Sequence, residues 1–313
     1  MDFSKGCEIM NTEQRLNQAF AHARVETFNE NSKYVFFSDC HRGDDSISDE
    51  FARNQALTLG ALSYYYKNGF TYVEAGDGDE LWEHNNFKYI RTAHSDIFTM
   101  LKEFYVRDRL IMLYGNHNLA LKNKWFVQHN YFYYYDEYKE QFEKLFYNLK
   151  PIEALRLVEE KTGQNIFVVH GHQGDFFNDQ FWIVSMIAVR FFWRFMHLGG
   201  FRNPASPAKN QFTSRKIERK YQKWLKYNDV ILICGHTHRI RFPKKADVPY
   251  FNIGCCVHTK GITAIELENN KISLVQWRVQ ADEEGNLQVM RRAVYGPEKI
   301  CKWKKKRNYS SSH

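Results

Sequence analysis

No stretch of this sequence is long and apolar enough to read as a membrane span. The most apolar segment, Phe181 to Phe195, is interrupted by Arg190 and Arg194 and falls short of the roughly 20 residues a bilayer demands. The opening MDFSKGCEIMNTEQRLNQAF lacks a basic segment followed by an apolar run, so no secretory leader is expected. Cysteine is sparse: six residues in 313, with no CxxC pair. That excludes a disulfide framework and makes a reducing cytoplasm the expected location. Internal repeats are absent, and the tail KWKKKRNYSSSH is the one low-complexity block. With 43% hydrophobic and 26% charged residues, a disordered or fibrous chain is excluded as well. The length fits about two domains or one large α/β domain.

Charge is unevenly distributed. Of the net +8, +9 falls between Arg190 and Lys226 and +6 between Lys299 and Arg307, which leaves the rest of the chain at −7. An acidic body with a basic segment and tail is unlike the broad positive footprint of a nucleic-acid binder.

Apolar spacing predicts helices over residues 12–28 and 51–68, and a further helical stripe through Tyr138, Phe142, Leu145, Phe146 and Leu149. Pro151 is expected to open another helix that ends near Gly163. After residue 245, short alternating runs (Tyr250–Ile253, 261–267, 272–279 and 287–294) predict an antiparallel meander.

The informative pattern is five short apolar runs, 33–37, 70–73, 110–114, 166–169 and 230–233, each of the kind that forms a buried strand. Polar residues of metal-ligand type follow each one: Ser38-Asp39-Cys40-His41, Gly76-Asp77, Gly115-Asn116-His117, His170-Gly171-His172 and Gly235-His236-Thr237-His238. Any one of these blocks has little meaning, because an Asp-x-His triplet arises by chance. Five together, at the strand ends where α/β sheets collect their ligands, point to a cation site. The glycines at 76, 115, 171 and 235 are expected to allow the tight turns between ligands.

In this order the blocks resemble the calcineurin-like metallophosphoesterases, over roughly residues 33–265. The resemblance implies a four-layer α/β-β/α sandwich of two mixed sheets flanked by helices, carrying two divalent metal ions. It implies that Asp39, His41 and His238 hold one metal, that Asn116, His170 and His236 hold the other, and that Asp77 bridges them. This oxygen and imidazole set suits Mn, Fe or Zn better than Ca, with Mn first in line. Two such ions lower the pKa of a bridging water and clamp a phosphoester or phosphoanhydride for hydrolysis. His117 matches the family's catalytic histidine, the general acid for the leaving oxygen. Where the family often has Asp or Glu next, this chain has Asn118; if Asn118 orients His117, the missing charge predicts a weaker acid near neutral pH.

Other polar residues cluster around these blocks. Arg42 and Arg239, directly after the first and last blocks, read either as phosphate contacts or as surface ion pairs. Asp79, Glu80, Glu83, His84, His172 and Asp175 are expected to hydrogen-bond the ligand histidines. Cys40 and Cys234 read as packing residues, and Cys255-Cys256 lacks the second pair a soft metal site needs.

Residues 176–226 form an insertion, apolar and aromatic first and basic second. It reads either as a core helix followed by a solvated one, or as a lid with an apolar face for a greasy substrate or membrane surface and lysines for anionic headgroups. Gly76-Asp77…Trp82, His170-Gly171, the insertion and Gly235-His-Thr-His-Arg239 look like the UDP-2,3-diacylglucosamine diphosphatase branch, which cleaves a lipid-linked nucleotide diphosphate with Mn. His117, where that branch commonly has Arg, is a departure. The expectation is one domain over 1–298 with a basic tail over 299–313, acting on a phosphorylated small molecule or lipid-linked substrate, with peripheral contact at the inner membrane surface through 176–226. The rivals are a phosphoprotein phosphatase or nuclease with the same metals, a catalytically weak docking scaffold, and nucleic-acid or lipid binding through the tail.

Overall fold

The computed structural model describes residues 10–175, 211–244 and 246–304. The N-terminal half runs α1 (Thr12–Ala21), β1 (Arg24–Phe28), β2 (Lys33–Phe37), α2 (Gln55–Lys67), β3 (Thr71–Ala75), α3 (Phe87–Ala93), α4 (Ser95–Tyr105) and β4 (Leu110–Leu113). It continues through α5 (Lys124–Tyr131), β5 (Tyr133–Asp136), β6 (Gln141–Lys144), β7 (Ala154–Glu159), β8 (Asn165–Val169) and α6 (Gln211–Tyr227). The last strands are β9 (Val230–Cys234), β10 (Tyr250–Asn252), β11 (Ile262–Glu268), β12 (Lys271–Ala281) and β13 (Leu287–Lys299).

All five apolar runs are strands, and they are apolar on both faces because both faces are covered. In β2, Val35 and Phe37 pack on α2 and α4 while Tyr34 and Phe36 enter the core between the sheets. In β8 the division is the same, with Phe167 and Val169 against α1 and α6, and Ile166 and Val168 between the sheets. One sheet has the order β1-β7-β8-β9-β10 and the other β13-β12-β11-β2-β3-β4. Helices on their outer faces complete four layers, a mixed α/β fold of two large sheets. Strands β2, β3 and β4 run parallel, as do β8 and β9, so the five ligand blocks emerge at carboxyl ends.

Several expectations fail here. α1 stops at Ala21, and Arg24–Phe28 pairs in parallel with β7. The stripe through Tyr138–Leu149 is no helix: Tyr135 and Phe142 stand opposite each other in the β5–β6 hairpin, so cross-strand contact supplies what helical spacing suggested. The segment after Pro151 is strand β7, whose Leu155 and Leu157 alternate into the core between the sheets. Tyr250–Asn252 leaves the meander to pair in parallel with β9, while β11, β12 and β13 are antiparallel as expected. The boundary at 298 also moves, because Ile300 and Trp303 are buried in the core and Trp303 packs edge-on against Phe251. The remainder of the tail lies outside the described residues.

Candidate metal centre

Beyond the strand ends the chain keeps its parallel register. The amides of Asp39, His41 and Arg42 donate to the carbonyls of Gly76, Asp77 and Gly78 at 3.1, 2.9 and 2.9 Å, and Gly235 N donates to His170 O at 2.8 Å. These links place the first and second blocks side by side, and the fourth beside the fifth. Asp39, His41, Asp77, His236 and His238 all have positive φ, between 48° and 66°. For residues with a Cβ this conformation costs about 1–3 kcal/mol each and persists where the surroundings impose it, typically at functional sites. Five of the seven expected ligands share it.

The donor atoms converge. Asp39, His41 and His238 form one group of ligand atoms within 4.8 Å of one another, and Asp77, His170 and His236 form another. Asp77 Oδ2 lies 2.9 Å from His170 Nε2 and 3.9 Å from His41 Nε2, between the groups. Each carboxylate uses its second oxygen to anchor the backbone. Asp39 Oδ2 accepts from Ser38 Oγ (2.6 Å) and His236 N (2.9 Å), and Asp77 Oδ1 accepts from His117 N (2.8 Å). The imidazoles are held from behind: His41 Nδ1 lies 2.7 Å from Glu80 Oε2 and His170 Nδ1 lies 3.1 Å from Ala75 O. With Nδ1–H donating outward, each Nε2 is left to face the centre.

Asn116 Oδ1 and His236 Nε2 are buried without a hydrogen-bond partner, and Asp39 Oδ1 and His170 Nε2 are buried with only other candidate ligand atoms beside them, His238 Nε2 at 3.0 Å and Asp77 Oδ2 at 2.9 Å. Such orphans are rare and ask for an explanation. Two divalent cations supply one, since each orphan is a ligand atom of a type Mn, Fe or Zn accepts. Burial pushes the Asp39 and Asp77 carboxyls up, but the imidazoles around them pull both below the ordinary range. Reciprocally His41, His170 and His238 are raised by those carboxylates against the effect of burial.

Two of the glycines act differently from expectation. Gly115 and Gly235 lack positive φ, but a Cβ on Gly115 would strike Asp77 Oδ1 and one on Gly235 would strike Ser38 Oγ and Asp39 Oδ2. Close approach, not the turn, requires them.

His117 sits at the rim of the centre, its ring 4.7 Å from that of His41 and stacked on Trp82 at 4.2 Å. Its Nδ1 lies 2.8 Å from Glu80 Oε1. Glu80 therefore takes both Nδ1 groups, that of His41 and that of His117, and the nearby imidazoles hold its carboxyl well down against burial. The expected role of Asn118 is overturned: it is fully buried, and its Oδ1 accepts from Gly115 N at 2.6 Å, which braces the Asn116 turn. A carboxylate three residues after Asp77 was the available signal for Glu80.

The family model described as calcineurin-like phosphoesterase matches residues 32–239. The chain belongs to that family. No curated protein matches it. Among solved structures this chain is similar to a cold-active protein-tyrosine phosphatase of a psychrophilic Shewanella species at 13% identity and TM-score 0.38, over 85% of this chain and 82% of that one. It is also similar to Vps29 of Chaetomium thermophilum at 11% identity and TM-score 0.37, over 86% and 99%. A third is a candidate 5'-nucleotidase of Staphylococcus aureus at 13% and 0.34, over 86% and 55%.

In this family member the two arginines part ways. Arg42 is 1% exposed and ion-paired with Glu74 (2.6 Å) and Asp79 (2.7 Å), so it is no substrate contact. Arg239 is half-buried, and its Nη1 has no hydrogen-bond partner. Asp79, bonded to Arg42 and Tyr131, serves no ligand histidine, whereas Asp175 Oδ2 lies 3.6 Å from His236 Nε2. Cys40 and Cys234 are fully buried, as packing residues are. The basic half of the expected lid is α6, and Ile217, Tyr221, Trp224 and Leu225 seat it on the five-stranded sheet as an outer layer. The apolar half, 176–210, lies outside the described residues. Beside the centre, Arg15, Tyr114, Leu119, Ala120, Phe126 and His172 help line a cleft of about 580 Å³. Among the described residues no helix is long and apolar enough to cross a membrane.

Proposed function

We propose that this protein is a dinuclear metallophosphoesterase that hydrolyses a phosphoester or phosphoanhydride. The observation that carries the reading is the pair of ligand groups, joined at Asp77, whose buried donor atoms face one another or have no partner. Asp39, His41, Asp77 and His238 would hold one cation, and Asp77, Asn116, His170 and His236 the other. When bound, divalent cations supply Lewis-acid activation of water and neutralise phosphoryl oxygens. The ligand set contains two carboxylates, Asp39 and Asp77, so a site loaded with two divalent ions keeps net positive charge for an oxyanion.

His117 is the proton donor to the leaving oxygen. Glu80 holds its Nδ1, which turns Nε2 toward the substrate, and Trp82 fixes the plane of the ring. The cleft lined by Tyr114, Leu119 and Phe126 has room for the part of the substrate that does not react. We assign Mn as the working metal, a cytoplasmic location with peripheral membrane contact, and a lipid-linked or nucleotide diphosphate as the substrate class. The motifs Gly76-Asp77…Trp82 and Gly235-His-Thr-His-Arg239 support the diacylglucosamine diphosphatase-like branch.

The test is hydrolysis of p-nitrophenyl and bis-p-nitrophenyl phosphate by purified protein with and without Mn, alongside metal analysis. Metal-dependent turnover that falls at least a hundredfold in His117→Ala is expected. No metal-dependent turnover, together with no retained divalent ion, overturns the reading.

A further inference from the structure

Arg42 directly follows the ligand His41 and is 1% exposed. Its guanidinium is engaged on two edges. Nη1 and Nη2 donate to Glu74 Oε1 and Oε2 at 2.6 and 2.9 Å, and Nε donates to Asp79 Oδ1 at 2.7 Å. Each carboxylate is held again from its other side, Glu74 by the Tyr72 hydroxyl at 3.3 Å and Asp79 by the Tyr131 hydroxyl at 2.6 Å. The guanidinium carbon stands over the Phe98 ring at 5.2 Å. A buried ion triad repays its desolvation only when its hydrogen bonds are well made, so it is no evidence of added stability.

The place of the triad in the chain points to another role. Glu74 belongs to β3 and Asp79 to the loop that follows, and between them lies Asp77, the carboxylate that joins the two ligand groups. One planar group therefore ties together both ends of the turn that carries Asp77. The backbone repeats the tie: Arg42 N donates to Gly78 O at 2.9 Å, and Arg42 O accepts from Glu80 N at 3.0 Å. There is no slack, because a Cβ on Gly78 would strike Glu74 Oε2 and Arg42 Nη2. Asp77 has φ 51°, a conformation that persists only where its surroundings impose it. Glu80, the residue after Asp79, takes Nδ1 of both His41 and His117.

We propose that Arg42 is a positioning residue of the metal centre, whose grip on Glu74 and Asp79 fixes Asp77 between the two ligand groups and Glu80 behind His41 and His117. It acts through those two carboxylates and not by contact with substrate. A lysine does not replace it, since an ammonium is a point charge and not a planar fork that faces two carboxylates at once. This inference rests on the phosphoesterase reading of the centre.

The test titrates metal-free full-length protein with Mn, by calorimetry and by electron paramagnetic resonance, for wild type, Arg42→Lys, Asp79→Ala and Tyr65→Phe, each with a urea midpoint. Tyr65→Phe is the control for stability: its hydroxyl donates to buried Glu266 at 2.6 Å, in a network with Trp277 and Arg291 that shares no residue with the centre. Arg42→Lys is expected to bind Mn about ten- to a hundredfold more weakly than wild type and to lose the exchange-coupled signal of two bridged Mn ions. Asp79→Ala frees only the loop side and keeps the pair with Glu74, so it should lose a smaller factor in the same direction. Tyr65→Phe should keep the wild-type affinity and coupled signal although its urea midpoint falls. An Arg42→Lys protein with Mn affinity within threefold of wild type and an intact coupled signal overturns the proposal. So does a loss in Tyr65→Phe equal to that in Arg42→Lys at matched stability, because affinity then merely follows stability. If Arg42→Lys does not fold, Asp79→Ala decides by the same criteria. A wild type that binds Mn and hydrolyses bis-p-nitrophenyl phosphate, beside variants that bind Mn equally well, removes the positioning role alone. A wild type that binds no Mn removes the hydrolase reading together with it.

Discussion

Replacing Glu80 by Gln tests the centre at its most connected point. The carboxylate accepts from His41 Nδ1 at 2.7 Å and from His117 Nδ1 at 2.8 Å. An amide of the same shape has one acceptor oxygen and one donor nitrogen, so one imidazole must face an N–H group. A charge-assisted hydrogen bond of this kind contributes about 1.5–3 kcal/mol, about ten- to 150-fold. If His117 loses the contact, kcat/KM falls by that factor at saturating Mn. Loss at His41 instead raises the Mn needed for half-maximal activity by about ten- to a hundredfold. The assay is a matrix of Mn and bis-p-nitrophenyl phosphate concentrations for wild type and Glu80→Gln. A variant within threefold of wild type on both axes refutes the reasoning. Asn118→Asp is the companion: residue 118 bonds Gly115 N and not His117, so the acidic limb of the pH–rate profile stays in place. A displaced limb would return the orienting role to residue 118.

Gly235→Ala should fold but lose metal, because its Cβ falls on Ser38 Oγ and Asp39 Oδ2 and overpacking costs about 1–3 kcal/mol; full metal occupancy by mass spectrometry contradicts this. Arg42→Ala should lower stability to urea by about 3–5 kcal/mol, since it strands buried Glu74 and Asp79. Unchanged stability with a raised KM would restore Arg42 as a substrate contact. Burial pushes the Asp49 carboxyl up, but His94 at 2.8 Å and backbone amides hold it below its ordinary 3.8. The stability it contributes is thus complete above the unfolded value and lost as pH falls through the lower folded one. Urea midpoints from pH 6 to pH 2 should fall less steeply below about pH 4 in Asp49→Asn, and superimposable curves count against the assignment.

The ligands were legible in the sequence because each follows a short apolar run, and a run apolar on both faces has few fates other than a covered strand. That reasoning holds at β2, β3, β4, β8 and β9. It fails at Tyr138–Leu149 and after Pro151, where apolar spacing alone does not distinguish a helix from a hairpin or an alternating strand. Glu80 illustrates an intermediate case. Its place three residues after Asp77 is visible in the sequence, yet its contact with both His41 and His117 exists only once the loops after β2, β3 and β4 lie together.

The sequence by itself determined the donor types, their order along the chain and the strands that carry them, since these depend on local pattern and the hydrophobicity of short segments. Only the tertiary structure decided the fate of chemically equal residues. Arg42 and Arg239 each follow a ligand block, but the first is neutralised by Glu74 and Asp79 while the second is left with an unsatisfied N–H. The physical reason is range. An ion pair is made within a few ångströms, and Glu74 and Asp79 come that close to Arg42 because β2 and β3, separated in the chain by α2, lie side by side in one sheet.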